Sequence, residues 1–179
     1  AVPDTAGPGE TVSYLFNVTN SGNAPDELEL SPMLTVSAFG EDDSVWTAAS
    51  VATDVVPVNQ TAQLNLSFTV PNQAWATSSV DIDLLHVANG YTIGTTTLQL
   101  AVKSVSGWRL NLTNADLEVE PGGENLTLQL IHTGNAYERP YFAKAGAGWN
   151  ITLPDEAPDV APYATSTFDV HVQPPDLSL

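Results

Sequence analysis

The sequence predicts an all-β protein of two tandem β-sandwich domains, and three observations lead to it. Apolar and polar residues alternate with period 2 along most of the chain, and no segment carries a convincing helical period. Turn residues interrupt the alternating runs at Gly22-Asn23, Pro57 to Gln60, Pro71-Asn72 and Asn89-Gly90. The chain also repeats itself. Pro8-Gly9-Glu10, the run Val12 to Thr19 and Ser21-Gly22-Asn23-Ala24 are answered by Pro121-Gly122-Gly123-Glu124, Asn125 to Leu130 and Thr133-Gly134-Asn135-Ala136. Trp46 is answered by Trp149, and Thr61 to Pro71 (TAQLNLSFTVP) by Thr165 to Pro175 (TSTFDVHVQPP). Duplication on this scale implies small domains in series, here residues 1–103 and 104–179.

In the first domain strands are expected near 11–19, 26–37, 62–70, 79–87 and 95–102. Val12, Tyr14, Phe16 and Val18 share one side of the first, Leu64, Leu66 and Phe68 one side of the third, and Leu98, Leu100 and Val102 one side of the last. Asn89-Gly90 suits a tight turn between neighbouring strands, because both residue types tolerate positive φ. In the second domain strands are expected near 107–113, 115–120, 124–132, 137–144 and 165–173, with Trp108, Leu110 and Leu112 on one face. Short strands with one apolar face each and turns between them describe sandwiches of the immunoglobulin-like kind. Burying about a dozen large side chains per core, at roughly 1.5–3 kcal/mol each, is an adequate drive before chain entropy is subtracted.

Composition narrows the function. Four Lys+Arg stand against 21 Asp+Glu, a balance that repels nucleic acid and anionic lipid and makes both poor candidate partners, so no nucleic acid is expected. An apolar fraction of 42% supports real cores, so the chain is not a disordered acidic tail. No apolar run approaches the roughly 18 residues that span a bilayer, so no direct membrane insertion is expected. There is no leader-like basic and apolar start, which reads as a mature or excised segment. Zero cysteines removes disulfides, thiolate metal sites and thiol nucleophiles. Acidity carried on a Ser-, Thr- and Asn-rich background reads as an exported surface at the cell exterior.

Six Asn-x-Ser/Thr sequons, at Asn17, Asn59, Asn65, Asn111, Asn125 and Asn150, point the same way. Twelve Asn with roughly 18% Ser+Thr would give about two by chance, so the excess calls for a cause. Asn17, Asn65 and Asn125 fall at outward parity within expected strands. Ordinary polar alternation in half-buried strands is one reading, and N-glycosylation in an archaeal or eukaryotic host is the other.

The run PGETVSYLFNVTNSGNAPDELEL, the later Trp46, VPVNQTAQLNLSFTVP and a further strand pair resemble the cell-adhesion-related (CARDB-like) and galactosidase-associated immunoglobulin-like repeats of bacterial and archaeal exported proteins. The resemblance covers nearly all of 8–103 and much of 121–175, and it implies spacer, adhesion or appendage roles. Two departures stand out. Nothing after Pro175 matches the residues that follow Pro71, and nothing before Pro8 matches Trp108 to Leu112. A segment cut from a longer array explains both; so does an assembly in which neighbouring subunits supply the outer strands, giving a homo-polymer by strand donation.

Enzyme signatures are thin. His86, His132 and His171 lie on separate strands with no metal-ligand spacing, no serine sits in a nucleophile elbow, and Gly146-Ala147-Gly148 opens no helix. No catalytic residue is assigned and no enzyme is expected. Glu41-Asp42-Asp43 and Asp155-Glu156 with Asp159 offer oxygen ligands of the kind Ca²⁺ takes, yet neither loop matches an EF-hand. They are read as solvated acidic surface or as weak calcium sites; Asp81/Asp83 and Glu27/Glu29 also share strand faces. Trp75, Tyr137, Tyr141 and Phe142 are the aromatics expected to be exposed, while Trp46 and Trp149 are expected to share a packing role. The structural positions are therefore Pro8, Gly9, Gly22, Asn23, Trp46, Pro121, Gly122, Gly134, Asn135 and Trp149. The sequence thus predicts a non-enzymatic extracellular module whose partners are neighbouring domains or subunits of a surface assembly. The competing expectation is a calcium- or glycan-binding accessory module of a larger exported protein.

Overall fold

The computed structural model describes residues 4–37, 45–113, 118–145 and 148–175. Every regular element among the described residues is a β-strand, and the chain divides into two compact units, residues 1–104 and 105–179.

Unit 1 contains β1 (Thr5–Ala6), β2 (Thr11–Thr19), β3 (Leu28–Ser37), β4 (Val51–Ala52), β5 (Thr61–Thr69), β6 (Ser79–Ala88) and β7 (Tyr91–Val102). One sheet runs β1-β7-β6-β3-β4 and the other is the pair β2-β5. Period-2 alternation dictates what lies between them. Val12 and Tyr14 of β2 and Leu66 and Phe68 of β5 meet Val80, Ile82 and Leu84 of β6 and Leu100 and Val102 of β7 in one buried cluster that includes Trp46. Tyr14 and Phe68 stack with centroids 5.9 Å apart. The outer face of β2-β5 is polar, with hydroxyl pairs Thr11–Thr69 at 2.8 Å, Ser13–Ser67 at 2.7 Å and Thr19–Thr61 at 2.8 Å. The expected Asn89-Gly90 turn forms with φ of 50° and 77° and makes β6-β7 a hairpin.

Unit 2 contains β8 (Trp108–Leu112), β9 (Glu124–His132), β10 (Asn150–Thr152) and β11 (Thr165–Gln173) in a single antiparallel sheet, β10-β11-β9-β8. Its central pair copies the first unit's two-stranded sheet. In β2-β5 Thr19 opposes Thr61; in β9-β11 Ile131 opposes Thr165. Moving β2 on by 112 (19 to 131) and β5 by 104 (61 to 165) reproduces every partner that the two ladders share. The copied inner face is Leu126, Leu128 and Leu130 with Phe168, Val170 and Val172. In unit 1 that face lies under a second sheet; in unit 2 the described residues form no second sheet, and Leu126, Leu128 and Phe168 are only half-buried.

Some expected strands are not formed. No strand forms at 137–144, and of the expected 115–120, residues 115–117 lie outside the described set while 118–120 are irregular. The reason is pairing. In unit 1 β3 is held along its length by β6, whereas no β6 counterpart is described in unit 2 to accept such bonds, and Pro140 lacks an N–H to offer. The short β1, β4 and β10 are fixed by tertiary pairing rather than by a readable pattern of their own.

Candidate functional site

The paired turn motifs do different jobs in the two units. In unit 1 Gly9 takes φ 76°, following Pro8 in a turn closed by Glu10 N–H to Gly7 O at 3.0 Å. In unit 2 the left-handed residue is Gly123 at φ 85°, not Gly122, because the extra glycine shifts the strain one place along the equivalent turn. Gly134 and Asn135 are buried and clamp the segment entering β8. Asn135 Oδ1 accepts from Val105 N–H at 2.6 Å, and Asn135 N–H donates to Val105 O at 2.9 Å. A Cβ on Gly134 would meet Val105 O at 2.5 Å and Gly107 N at 2.8 Å. Gly22 and Asn23 are exposed instead, and Asn20 stabilises that turn by accepting from Gly22 N–H at 2.9 Å and donating to Ala24 O and Val56 O.

Two tryptophan expectations are corrected. Trp46 is 9% exposed and belongs to the core, but Trp149 is 47% exposed, and among the described residues unit 2 forms no second sheet for it to pack beneath. Trp75 is buried at 7%: the loop after Pro71 turns inward, with Ala74 N–H bonded to Pro71 O and Ser78 N–H to Trp75 O. Tyr137 and Tyr141 are exposed, while Phe142 stacks on Phe168 at 4.6 Å and covers part of the unit 2 inner face.

The titratable groups do not converge. His132 is buried, stacked on Trp108 at 3.9 Å; its Nδ1 lies 3.1 Å from Val160 O and 3.2 Å from Ala161 O, so that nitrogen carries the hydrogen. His86 bonds Thr96 Oγ1, and His171 bonds Asn125 Oδ1. Asp155, Glu156 and Asp159 are exposed, and Asp159 contacts Arg139 at 3.4 Å. Glu41, Asp42 and Asp43 lie outside the described residues, among which no three acidic or imidazole groups come together as a cation site. Asp81 and Asp83 accept hydrogen bonds from Gln99 and Thr97 of β7. Glu10 accepts from Gly7 N–H at 2.8 Å and faces Lys103 at 3.4 Å; that backbone bond first, and the cation second, hold its carboxyl below the usual range. Burial, with Asp4 adding to it, pushes the Tyr14 phenol up.

All six sequon asparagines are exposed. Asn17 and Asn65 lie on the outer face of β2-β5, and Asn59, at φ 60°, sits in the turn that leads into β5.

A feature that the sequence reading missed is a slot at one end of unit 1, a cavity of about 480 Å³. Val18, Thr19 and Asn20 of the β2 end, Leu28, Val56, and Ala88, Tyr91 and Ile93 of the β6-β7 hairpin line it, with Asp26 and Glu27 at its polar side. Tyr91 and Ile93 are 76% and 64% exposed. Their apolar character beside the Asn-Gly turn was the available signal.

No protein-family model and no curated protein matches the chain. Among solved structures it is similar to a chain of a chaperone–tip adhesin complex of CFA/I fimbriae (12% identity, TM-score 0.37, 100% of this chain and 91% of that one). It is also similar to the CupB2 chaperone of Pseudomonas aeruginosa (14% identity, TM-score 0.28, 95% and 89%). A third is the secreted serine protease VesC of Vibrio cholerae (12% identity, TM-score 0.31, 98% and 45%). Likeness at this level specifies neither partner nor activity.

Proposed function

We propose that the chain is a non-enzymatic extracellular interaction module, a spacer or building unit of a surface assembly whose partners are neighbouring domains or subunits. The observation that carries this is the duplicated ladder. What is conserved between the two units is strand register and an apolar inner face, whereas the histidines, the Gly-Asn turns and the tryptophans all diverge in role. A repeat that keeps its frame and varies its side-chain chemistry is selected for extension and contact, not for one reaction. The exposed sequons fit a glycosylated outer surface, and a net charge of −17 fits one facing salt water.

The test uses the whole chain. Calcium calorimetry and a glycan array should both be silent, and electron micrographs of the native cell surface labelled for this chain should show fibres or a lattice. A saturable sugar with a defined linkage, or stoichiometric Ca²⁺ binding, would replace this reading with the accessory-module one.

A further inference from the structure

Resting on the extracellular part of that reading, we propose that each unit carries asparagine-linked glycans on its copied sheet face: the outer face of β2-β5 in unit 1 and that of β10-β11-β9-β8 in unit 2. The outer face of the five-stranded sheet stays bare. Register fixes the placement. Asn17 opposes Gln63 and Asn65 opposes Leu15, out of phase with the buried Tyr14, Leu64 and Leu66. Asn111 opposes Gln129, Asn125 opposes His171 and Asn150 opposes Gln173, out of phase with the inner Leu128, Leu130 and Val170. Asn59 stands in the turn that starts the unit 1 ladder, two residues before Thr61.

Polar alternation alone does not produce this distribution. The five-stranded sheet alternates as strictly and offers outward hydroxyls at Ser31, Thr35, Thr95 and Thr97, yet its described strands contain no asparagine. Part of its outward polarity is acidic instead, from Glu29, Asp81 and Asp83. Every asparagine within a described strand of the other two sheets opens a sequon. Moreover, β2 and β5 hold no charged residue at all, in a chain of 21 Asp+Glu. A wetted face with neither acid nor base, and with Leu15 64% exposed opposite Asn65, fits a covering of neutral, solubilising sugar.

The amide chemistry agrees. Glycosyl transfer replaces one hydrogen on Nδ2 and leaves Oδ1 as an acceptor. Asn17 Oδ1 accepts from Gln63 Nε2 at 3.1 Å, and Asn125 Oδ1 accepts from His171 Nδ1 at 2.9 Å, so both bonds survive the modification. Asparagines outside the sequons spend the nitrogen: Asn20 Nδ2 donates to Ala24 O and Val56 O, and Asn89 Nδ2 donates to Asp26. In the transfer, Nδ2 attacks the anomeric carbon of a glycan linked to a polyprenyl phosphate or diphosphate. The C–N bond forms, the carbon–oxygen bond to phosphate breaks with its electron pair leaving on the lipid phosphate, and Nδ2 gives up one proton. Sequon hydroxyls are bonded across the finished ladder, Thr19 to Thr61 at 2.8 Å and Ser67 to Ser13 at 2.7 Å, so transfer precedes its closure.

The experiment maps glycopeptides of the full chain from its native host by mass spectrometry. The expected result is sugar at Asn17 or Asn65 in unit 1 and at Asn111, Asn125 or Asn150 in unit 2, with none on the five-stranded sheet. At each occupied strand site, changing the third residue of the sequon to Ala in that host should remove that one glycan. Exchanging Thr and Ser there should keep it, which separates loss of the acceptor from loss of the fold. Bare asparagine at every strand site of either unit overturns the proposal, as does sugar at Asn59 alone. Sugar on the outward Ser or Thr residues of the five-stranded sheet, or a glycan that survives the Ala change, overturns it too. Any of these failures leaves the module reading standing if fibres or a lattice carry this chain; glycans on both faces' expected sites without fibres or lattice would sink that reading and keep this one.

Discussion

Leu66 is the position where the sandwich of unit 1 is most directly put at risk. It is 0% exposed, opposes Tyr14 across the β2-β5 ladder and packs in the cluster with Ile82, Leu84 and Leu100. Leu66→Ala removes three carbons, about 2.4 kcal/mol of transfer free energy at ~0.8 kcal/mol each, and leaves a cavity between two sheets that cannot easily close. The total should be about 3–4 kcal/mol, a fall of roughly 12–30 °C in the melting temperature of a unit this size. Leu128→Ala is the matched control in unit 2. It occupies the same kind of face, the counterpart of Phe16, yet is half-buried, with no second sheet above it among the described residues, so about 1 kcal/mol is expected. Urea unfolding followed by tryptophan fluorescence reads both, because Trp46 and Trp75 report unit 1 while Trp108 and Trp149 report unit 2. Equal losses for the two variants, or less than about 1 kcal/mol for Leu66→Ala, would refute the two-sheet against one-sheet distinction.

Gly134→Ala should cost on the order of 2–3 kcal/mol in unit 2, since the new methyl meets backbone atoms of residues 105 and 107, while Gly22→Ala at the copied position should cost under about 1 kcal/mol; thermal melts of the two variants decide it. Glu10 has a lowered folded-state pKa, so its contribution is fully present above the unfolded carboxylate value and is lost as pH falls through the folded one; Glu10→Gln should flatten that part of the acid limb of stability against pH, and identical limbs would refute the Gly7 and Lys103 contacts as its cause. Intact mass of material from the native host should exceed that of the bare polypeptide by whole glycans at one or more of the six sequons, and an unmodified mass would remove that assignment.

The long strands were readable because burial enforces alternation. Thr11 to Thr19 and Glu124 to His132 were expected at those bounds, and the neighbours of Leu64 and Leu98 were right to within a few residues. What failed was context. Tyr137 to Lys144 carries strand-forming aromatics, yet pairing needs a partner that is not in the local sequence. Trp149 matches Trp46 by position but not by surroundings, and Trp75 was placed outside because its loop follows a proline, whereas the loop folds back over the core. Gly122 and Gly123 cannot be told apart by type; only the φ angle shows which one carries the turn. The slot of unit 1 leaves no single pattern in the sequence, because residues from four separate stretches of the chain line it.

The two ladders agree although the passages linking their strands differ in length: Thr19 to Thr61 in one, Ile131 to Thr165 in the other. Among the described residues the intervening stretch builds β3 and β4 in unit 1 but only β10 in unit 2. The frame is therefore indifferent to its cargo. The exposed Asp155-Glu156 stretch between β10 and β11 is a natural graft point, where a foreign epitope or enzyme-cleavable linker could be spliced in while β9 and β10 stay paired with β11.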